Sequence, residues 1–316
     1  MSRKLFALSL TATLMGGAAY AETPQVAVDI APVHSLVARV MDGIGKPDLI
    51  IQPGASPHEY SLRPSEASAL QAADLVFWIG PDLTPWLTDT IGTLASDAVV
   101  TELMEADGTI ELEFREGALF EAHDHNDHGD DDDHDEAESG HEGHDHGAHD
   151  PHAWLSPKNA MNWLNVIAGQ LSAVDPDNAG AYFANAAAGR TEIKTLIGEV
   201  TATLDPVRGG QFIVFHDAYQ YFEMDFDFPA SGAISISDAS DPSPARIAKI
   251  QARIAEQGID CVLAEPQFNP GLVATVLDGT DAQTGILDPL GSDLELGPAF
   301  YPQLIRNLSN VLADCM

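Results

Sequence analysis

Twelve histidines occur in the chain, and eight of them crowd into one stretch. The other four are His34, His58, His152 and His216, each placed at a turn or strand end. His216 directly follows the apolar run Phe212–Phe215. His58 sits in the turn sequence Gln52-Pro53-Gly54-Ala55-Ser56-Pro57-His58-Glu59-Tyr60, just after Leu49–Ile51. His152 lies in Asp150-Pro151-His152-Ala153-Trp154-Leu155, and Asp288 in Leu287-Asp288-Pro289-Leu290-Gly291. Three neutral imidazoles completed by a carboxylate or a water make a first shell suited to zinc, with nitrogen at about 2.0–2.1 Å in tetrahedral geometry. Magnesium and calcium prefer oxygen shells, and manganese leans towards carboxylates. Spacing alone leaves His34, in Ala31-Pro32-Val33-His34-Ser35, open as a ligand; it reads as a supporting or structural residue.

The crowded stretch, residues 121–150, holds His123, His125, His128, His134, His141, His144, His146 and His149 with thirteen carboxylates and no Lys or Arg. It lacks apolar periodicity, so burial cannot offset its ordering entropy, and a disordered loop is expected. Imidazoles at this density bind borderline divalent cations weakly and exchangeably, which would raise the local zinc concentration. Asp124-x-Asn126-x-His128-Gly129 resembles the start of a calcium loop but lacks flanking helices and a closing Glu.

Elements must bring these residues together. Short apolar runs at Gln25–Ile30, Leu49–Ile51, Leu75–Ile79, Phe212–Phe215, Cys261–Ala264 and Ile286–Leu287 alternate with helical stretches. The pattern indicates an α/β chain with parallel strands buried on both faces, arranged as two lobes. Ligands in such sheets bind at the carboxyl ends of the strands, the edge on which His58, His216 and Asp288 fall. Ser156-Pro157 is a cap and first-turn pair opening a helix with Ala160, Trp163, Leu164, Ile167, Leu171 and Val174 on one face. A second helix is expected from about Asn178 to Leu204, with Ala179, Phe183, Ala186, Ile193, Leu196, Ile197, Val200 and Leu204 inward. It would reach about 40 Å and act as a stiff connector. The expected organisation is residues 1–21 as a leader, 22–177 as the first lobe, 178–204 as the connecting helix and 205–316 as the second lobe.

Residues 1–21 read as a secretory signal: Arg3 and Lys4, the apolar run Leu5–Met15, then Ala19-Tyr20-Ala21. No Cys follows that run to carry a lipid, so a soluble protein of a bacterial periplasm is expected. Cys261 and Cys315, the two cysteines of the chain, read as one disulfide in an oxidising compartment, with two buried thiols as the alternative. The net charge of −35, from 49 acidic and 14 basic side chains, disfavours nucleic acid and anionic membrane surfaces as partners. No GxSxG elbow, Walker loop, GxGxxG or HExxH occurs.

Several motifs in order resemble the ZnuA-type periplasmic zinc-binding proteins, the solute-binding subunits of bacterial ABC zinc importers. They are Pro53-Gly54-Ala55-Ser56-Pro57-His58-Glu59-Tyr60-Ser61-Leu62-Arg63-Pro64-Ser65, Trp78-Ile79-Gly80-Pro81, His152-Ala153-Trp154-Leu155-Ser156-Pro157, Phe215-His216-Asp217-Ala218-Tyr219, Ala264-Glu265-Pro266-Gln267-Phe268 and Leu287-Asp288-Pro289-Leu290-Gly291. The resemblance spans essentially the whole chain after the leader. It implies the metal-binding solute-binding-protein fold, two (β/α) lobes joined by a long helix, with the ion in the cleft. It implies His58, His152 and His216 as ligands, and His216 where manganese-binding relatives carry a glutamate. The fourth ligand is left between Asp288 and water, because Pro57 stands where some members place a Glu. The resemblance also supports a Cys261–Cys315 bridge.

The expected function is high-affinity capture of zinc in the periplasm and delivery to an inner-membrane ABC permease, by a monomer that is not an enzyme. Other periplasmic zinc chaperones are further candidate partners. The alternatives are a periplasmic zinc hydrolase, with Glu59 or Glu265 as base, and a manganese-binding sister receptor. A zinc buffer that docks to no transporter is a third. Protons compete with zinc for imidazole, so affinity should fall as pH drops through the histidine range.

Overall fold

The computed structural model describes residues 23–115, 120, 149–235 and 242–316. The expected leader and His123 to His146 lie outside these residues; His149 lies within them. No described helix is long and apolar enough to cross a membrane.

Among the described residues, eight strands form two separate four-stranded parallel sheets. The first contains β1 (Val26–Val28), β2 (Asp48–Leu49), β3 (Leu75–Trp78) and β4 (Val99–Glu102), ordered β2-β1-β3-β4. The second contains β5 (Phe212–His216), β6 (Ala233–Ser235), β7 (Cys261–Ala264) and β8 (Gln283–Ile286), ordered β6-β5-β7-β8. In each, the chain leaves the first strand to one side and then crosses to the other, the arrangement that opens a crevice at the strands' carboxyl ends. The central strands are the near-continuous apolar runs of the sequence. In β5 the alternation is visible: Phe212 and Val214 join the main core, while Ile213 and Phe215 join a smaller cluster on the opposite face.

The helices follow proline placement closely. Pro64, Pro85, Pro157, Pro244 and Pro270 each stand in the first turn of α2 (Pro64–Ala72), α3 (Pro85–Leu94), α4 (Pro157–Val174), α7 (Pro244–Gln257) and α8 (Pro270–Leu277). A helix start lacks acceptors for its first N–H groups, so proline sacrifices nothing there. The remaining helices are α1 (Ala31–Val40), α5 (Ala179–Leu204), α6 (Gln220–Phe226) and α9 (Phe300–Cys315).

The long connecting helix is α5, 26 residues and so about 39 Å. Its buried face is Tyr182, Ala186, Gly189, Ile193, Leu196, Val200 and Leu204. Phe183 points outward, 51% exposed, so the inward aromatic of the first turn is Tyr182, whose hydroxyl donates to Asp175 at 2.8 Å. Gly189 permits close packing, because a Cβ there would come within 3.0 Å of the Leu164 side chain and 3.1 Å of Arg39. Helix α9 packs on α5 and α1, and its last residue, Cys315, is disulfide-bonded to Cys261 at the start of β7. One continuous apolar core therefore runs from β1 through α4 and α5 to β5, β7 and α9.

Two strands, β4 and β6, were not expected from the sequence, and β8 ends at Ile286 rather than beginning there. All three are edge strands, and β4 and β8 are largely exposed. Half-exposed edge strands lose the apolar signature that marks buried ones.

Candidate metal centre

The carboxyl ends of the two sheets carry the candidate residues. His58 lies in the loop between β2 and α2, His216 is the last residue of β5, and His152 precedes a short 3-10 turn (Ala153–Leu155) that leads into α4. Glu265 follows β7 and Asp288 follows β8. His58, His152 and His216 line one small cavity together with Trp154, Glu265, Gln267, Phe268 and Leu290.

His152 and His216 are fixed in the same way. His152 Nδ1 lies 2.7 Å from Asp150 Oδ1, which also accepts the His152 backbone N–H at 3.0 Å. His216 Nδ1 lies 2.8 Å from Glu265 Oε1, which also accepts the His216 N–H at 3.2 Å. A carboxylate oxygen accepts, so each Nδ1 carries a proton towards it and each ring turns Nε2 outward. The two Nε2 atoms face each other at 3.4 Å. Tetrahedral coordination with bonds of about 2.0–2.1 Å places neighbouring nitrogens about 3.3–3.4 Å apart. Two lone pairs at that separation repel unless a proton or cation lies between them. Both side chains are 7% exposed, so water screens that repulsion poorly.

His58 completes the cluster less tightly. Its ring centroid is 5.8 Å from that of His152, against 5.2 Å between His152 and His216. Among the described residues no three His, Cys, Asp or Glu side chains stand as a ready-made chelate. The loop bearing His58 is anchored beside it, where Trp86 Nε1 donates to the Pro57 carbonyl at 2.8 Å.

Asp288 stands apart from the cavity lining. Its Oδ1 accepts from the Leu290 N–H at 2.9 Å and Gln267 Nε2 at 3.0 Å, and its Oδ2 from the Ser292 N–H and Oγ, both at 2.6 Å. His34 is likewise elsewhere: it is buried, with Nε2 3.1 Å from the Pro47 carbonyl, and burial lowers its pKa below the ordinary 6.5. His149, from the end of the His-rich stretch, pairs loosely with Glu111 at 3.7 Å.

Segments on either side of the His-rich stretch are held near the site. Arg115 donates to Asp217, the neighbour of His216, and to Glu223 at 2.7 Å. Burial alone would lower the Arg115 pKa, but hydrogen bonds to Glu223 and Asp217 outweigh it and raise it. The Tyr221 hydroxyl donates to the Asp150 carbonyl at 2.8 Å. Asp150 as the partner of His152 was not singled out from the sequence. Its signal is the Asp-Pro-His spacing, in which an Asp side chain turns onto the backbone two residues on.

A family model described as zinc-uptake complex component A, periplasmic (ZnuA), matches residues 26–315. The chain belongs to the ZnuA family. It is 49% identical over 323 residues to the high-affinity zinc uptake system protein ZnuA of Brucella abortus (strain 2308), covering 98% of this chain and 97% of that one. The fold matches a crystal structure of ZnuA with TM-score 0.74 at 22% identity, over 93% of this chain and 99% of the other. It also matches the solute-binding protein FpvC of Pseudomonas aeruginosa in complex with Mn2+, with TM-score 0.73 at 18% identity, over 93% and 98%.

Proposed function

We propose that the protein captures zinc in the periplasm at His58, His152 and His216 and presents it to an inner-membrane ABC permease for uptake. Zinc is the cargo. The observation that carries the reading is the pair of Nε2 lone pairs held 3.4 Å apart by carboxylates on the far side of each ring. Their spacing matches one edge of a tetrahedral zinc shell, and an ion between them would relieve their repulsion. His58, on its loop, supplies the third nitrogen by a short swing of one side chain, so capture requires little lobe motion. The continuous core through α5 and α9 supports that restraint.

The cavity is about 20 Å³, room for about one water-sized sphere. That suits an ion with one small ligand better than a larger substrate. Glu265, a candidate base, is already engaged with His216, and Glu59 is exposed outside the cavity lining. Both features support a receptor that performs no catalysis; action as a monomer is a further part of the proposal. Residues 1–21 as a cleaved leader, and the eight histidines from His123 to His149 as a weak auxiliary zinc collector, are parts of the same reading.

Competitive zinc titration with metal analysis tests it. The intact protein is expected to bind one zinc tightly, and H58A/H216A to lose that site. Deleting residues 123–149 should remove weak sites and keep the tight one. Unchanged tight binding in H58A/H216A would sink the assignment.

A further inference from the structure

Gln267 lies between the histidine cavity and Asp288. Asp288 is an acceptor only, so the Gln267 amide has to present Nε2 to it, at 3.0 Å. That fixes the amide orientation and leaves the carbonyl oxygen, Oε1, on the other end. Oε1 is buried and has no hydrogen-bond partner, and Gln267 lines the cavity of the three histidines. Glu265 Oε2 is in the same condition, on a residue only 4% exposed. The Tyr219 hydroxyl stands within reach of Glu265, but its single proton goes to the Leu287 carbonyl at 3.0 Å. Two buried acceptors lacking donors beside one small polar cavity are costly unless a ligand brings protons to them.

Asp288 is in the opposite condition. Four donors converge on it, from Leu290, Gln267 and twice from Ser292, and a carboxylate offers about four lone-pair directions. To enter a coordination shell it would have to give some of them up, and the Gln267 contact is the one made by a side chain that also lines the cavity.

Resting on the zinc-site reading above, we propose that Gln267 is a specificity-determining residue. It holds the Asp288 carboxylate out of the coordination shell and reserves the fourth position for a water, whose protons go to Gln267 Oε1 and Glu265 Oε2. The ion then meets three imidazoles and a neutral water. That shell suits zinc, and it denies manganese the hard carboxylate it favours. Removing the Gln267 amide frees Asp288 to turn inward and makes the site more welcoming to manganese.

The test uses the chain after its leader, as wild type, Q267L, D288N and Q267L/D288N, titrated with zinc and with manganese under competition. The cobalt(II)-loaded wild type is also followed in the visible as thiocyanate is added. Thiocyanate is expected to displace the water and shift the cobalt spectrum. D288N is expected to leave zinc affinity nearly unchanged. Q267L is expected to raise manganese affinity relative to zinc by about tenfold, the scale of outer-sphere effects on metal sites, and the double variant to lose that gain. A cobalt spectrum indifferent to thiocyanate would overturn the proposal, and it needs no variant to fold. An unchanged metal ratio in Q267L, or an approximately tenfold zinc loss in D288N alone, would overturn it as well. Retention of tight zinc binding by H58A/H216A is a different result: it refutes the histidine site itself, whereas loss there with an indifferent Q267L refutes only the role of Gln267.

Discussion

An imidazole offers a metal one nitrogen only if something decides which nitrogen keeps the proton. At this centre Asp150 and Glu265 make that decision for His152 and His216. Replacing Glu265 by Gln keeps an acceptor but removes the charge that strengthens His216 as a donor. E265Q, and D150N by the same route, should each weaken zinc binding by about tenfold, read by competition titration, while the metal-free protein melts as before. Unchanged affinity would reduce these carboxylates to packing. That His58, His152 and His216 would meet at one cavity was legible in the sequence because their turn contexts were. Their carboxylate partners were less so, since Glu265 reaches His216 across 49 positions through strand pairing. Asp288 was legible as a residue of the site edge, but three of its four hydrogen-bond donors come from turn geometry and the fourth from Gln267, 21 positions away, none of which composition reveals.

A second residue-scale effect lies away from the metal. Asp29, fully buried at the end of β1, accepts from the Ile30 and Ile79 N–H groups at 2.7 Å each and so ties β1 to β3. Burial pushes its pKa from 3.8 up to about 7, with the backbone hydrogen bonds opposing. The folded protein therefore holds this proton more tightly than the unfolded chain. The associated stability is fully present below pH 3.8 and is lost as pH rises to about 7. The stability of wild type relative to D29N, from denaturant midpoints across that window, should decline with rising pH and then level off. A difference independent of pH would show that the carboxyl stays ionised in the folded state.

At the scale of elements, the helix starts were the most readable part of the fold, because proline and a small polar cap act locally. Ser156 is the clearest case. Its Oγ accepts from the Asn159 N–H at 3.1 Å and donates to Asp225 at 2.8 Å, joining the start of α4 to the end of α6. S156A should cost about 1–2 kcal/mol of stability, visible as a lower denaturant midpoint with zinc stoichiometry intact. A neutral outcome would mean that Pro157 and packing alone fix the start of α4. The inward face of α5 was misread by one residue at Phe183, since Tyr182 and Phe183 are both aromatic and only Tyr182 has Asp175 to receive its hydroxyl. The edge strand β4 escaped because exposure blurs its apolar pattern, and β6 because a three-residue strand carries too short a run to register.

At the scale of the whole molecule, the two lobes share one core, and the covalent tie reinforces it far from the metal. Cys261 opens β7, whereas Glu265 follows that strand's other end. The bridge closes 54 positions of chain and anchors α9, which packs on both α5 and α1. Chain entropy in the unfolded state gives such a crosslink about 4 kcal/mol of stabilisation. C261S/C315S should therefore lose a large part of its resistance to denaturant. Zinc affinity measured well below the new midpoint should be unchanged, because no ligand or ligand partner moves with the Cys261 end of β7. A parallel loss of zinc affinity would instead show that α9 communicates with the metal centre, through Tyr301, whose hydroxyl donates to the Trp154 carbonyl at 2.9 Å beside His152. The variant thus separates a scaffold that merely holds the lobes from one that transmits strain to the ion.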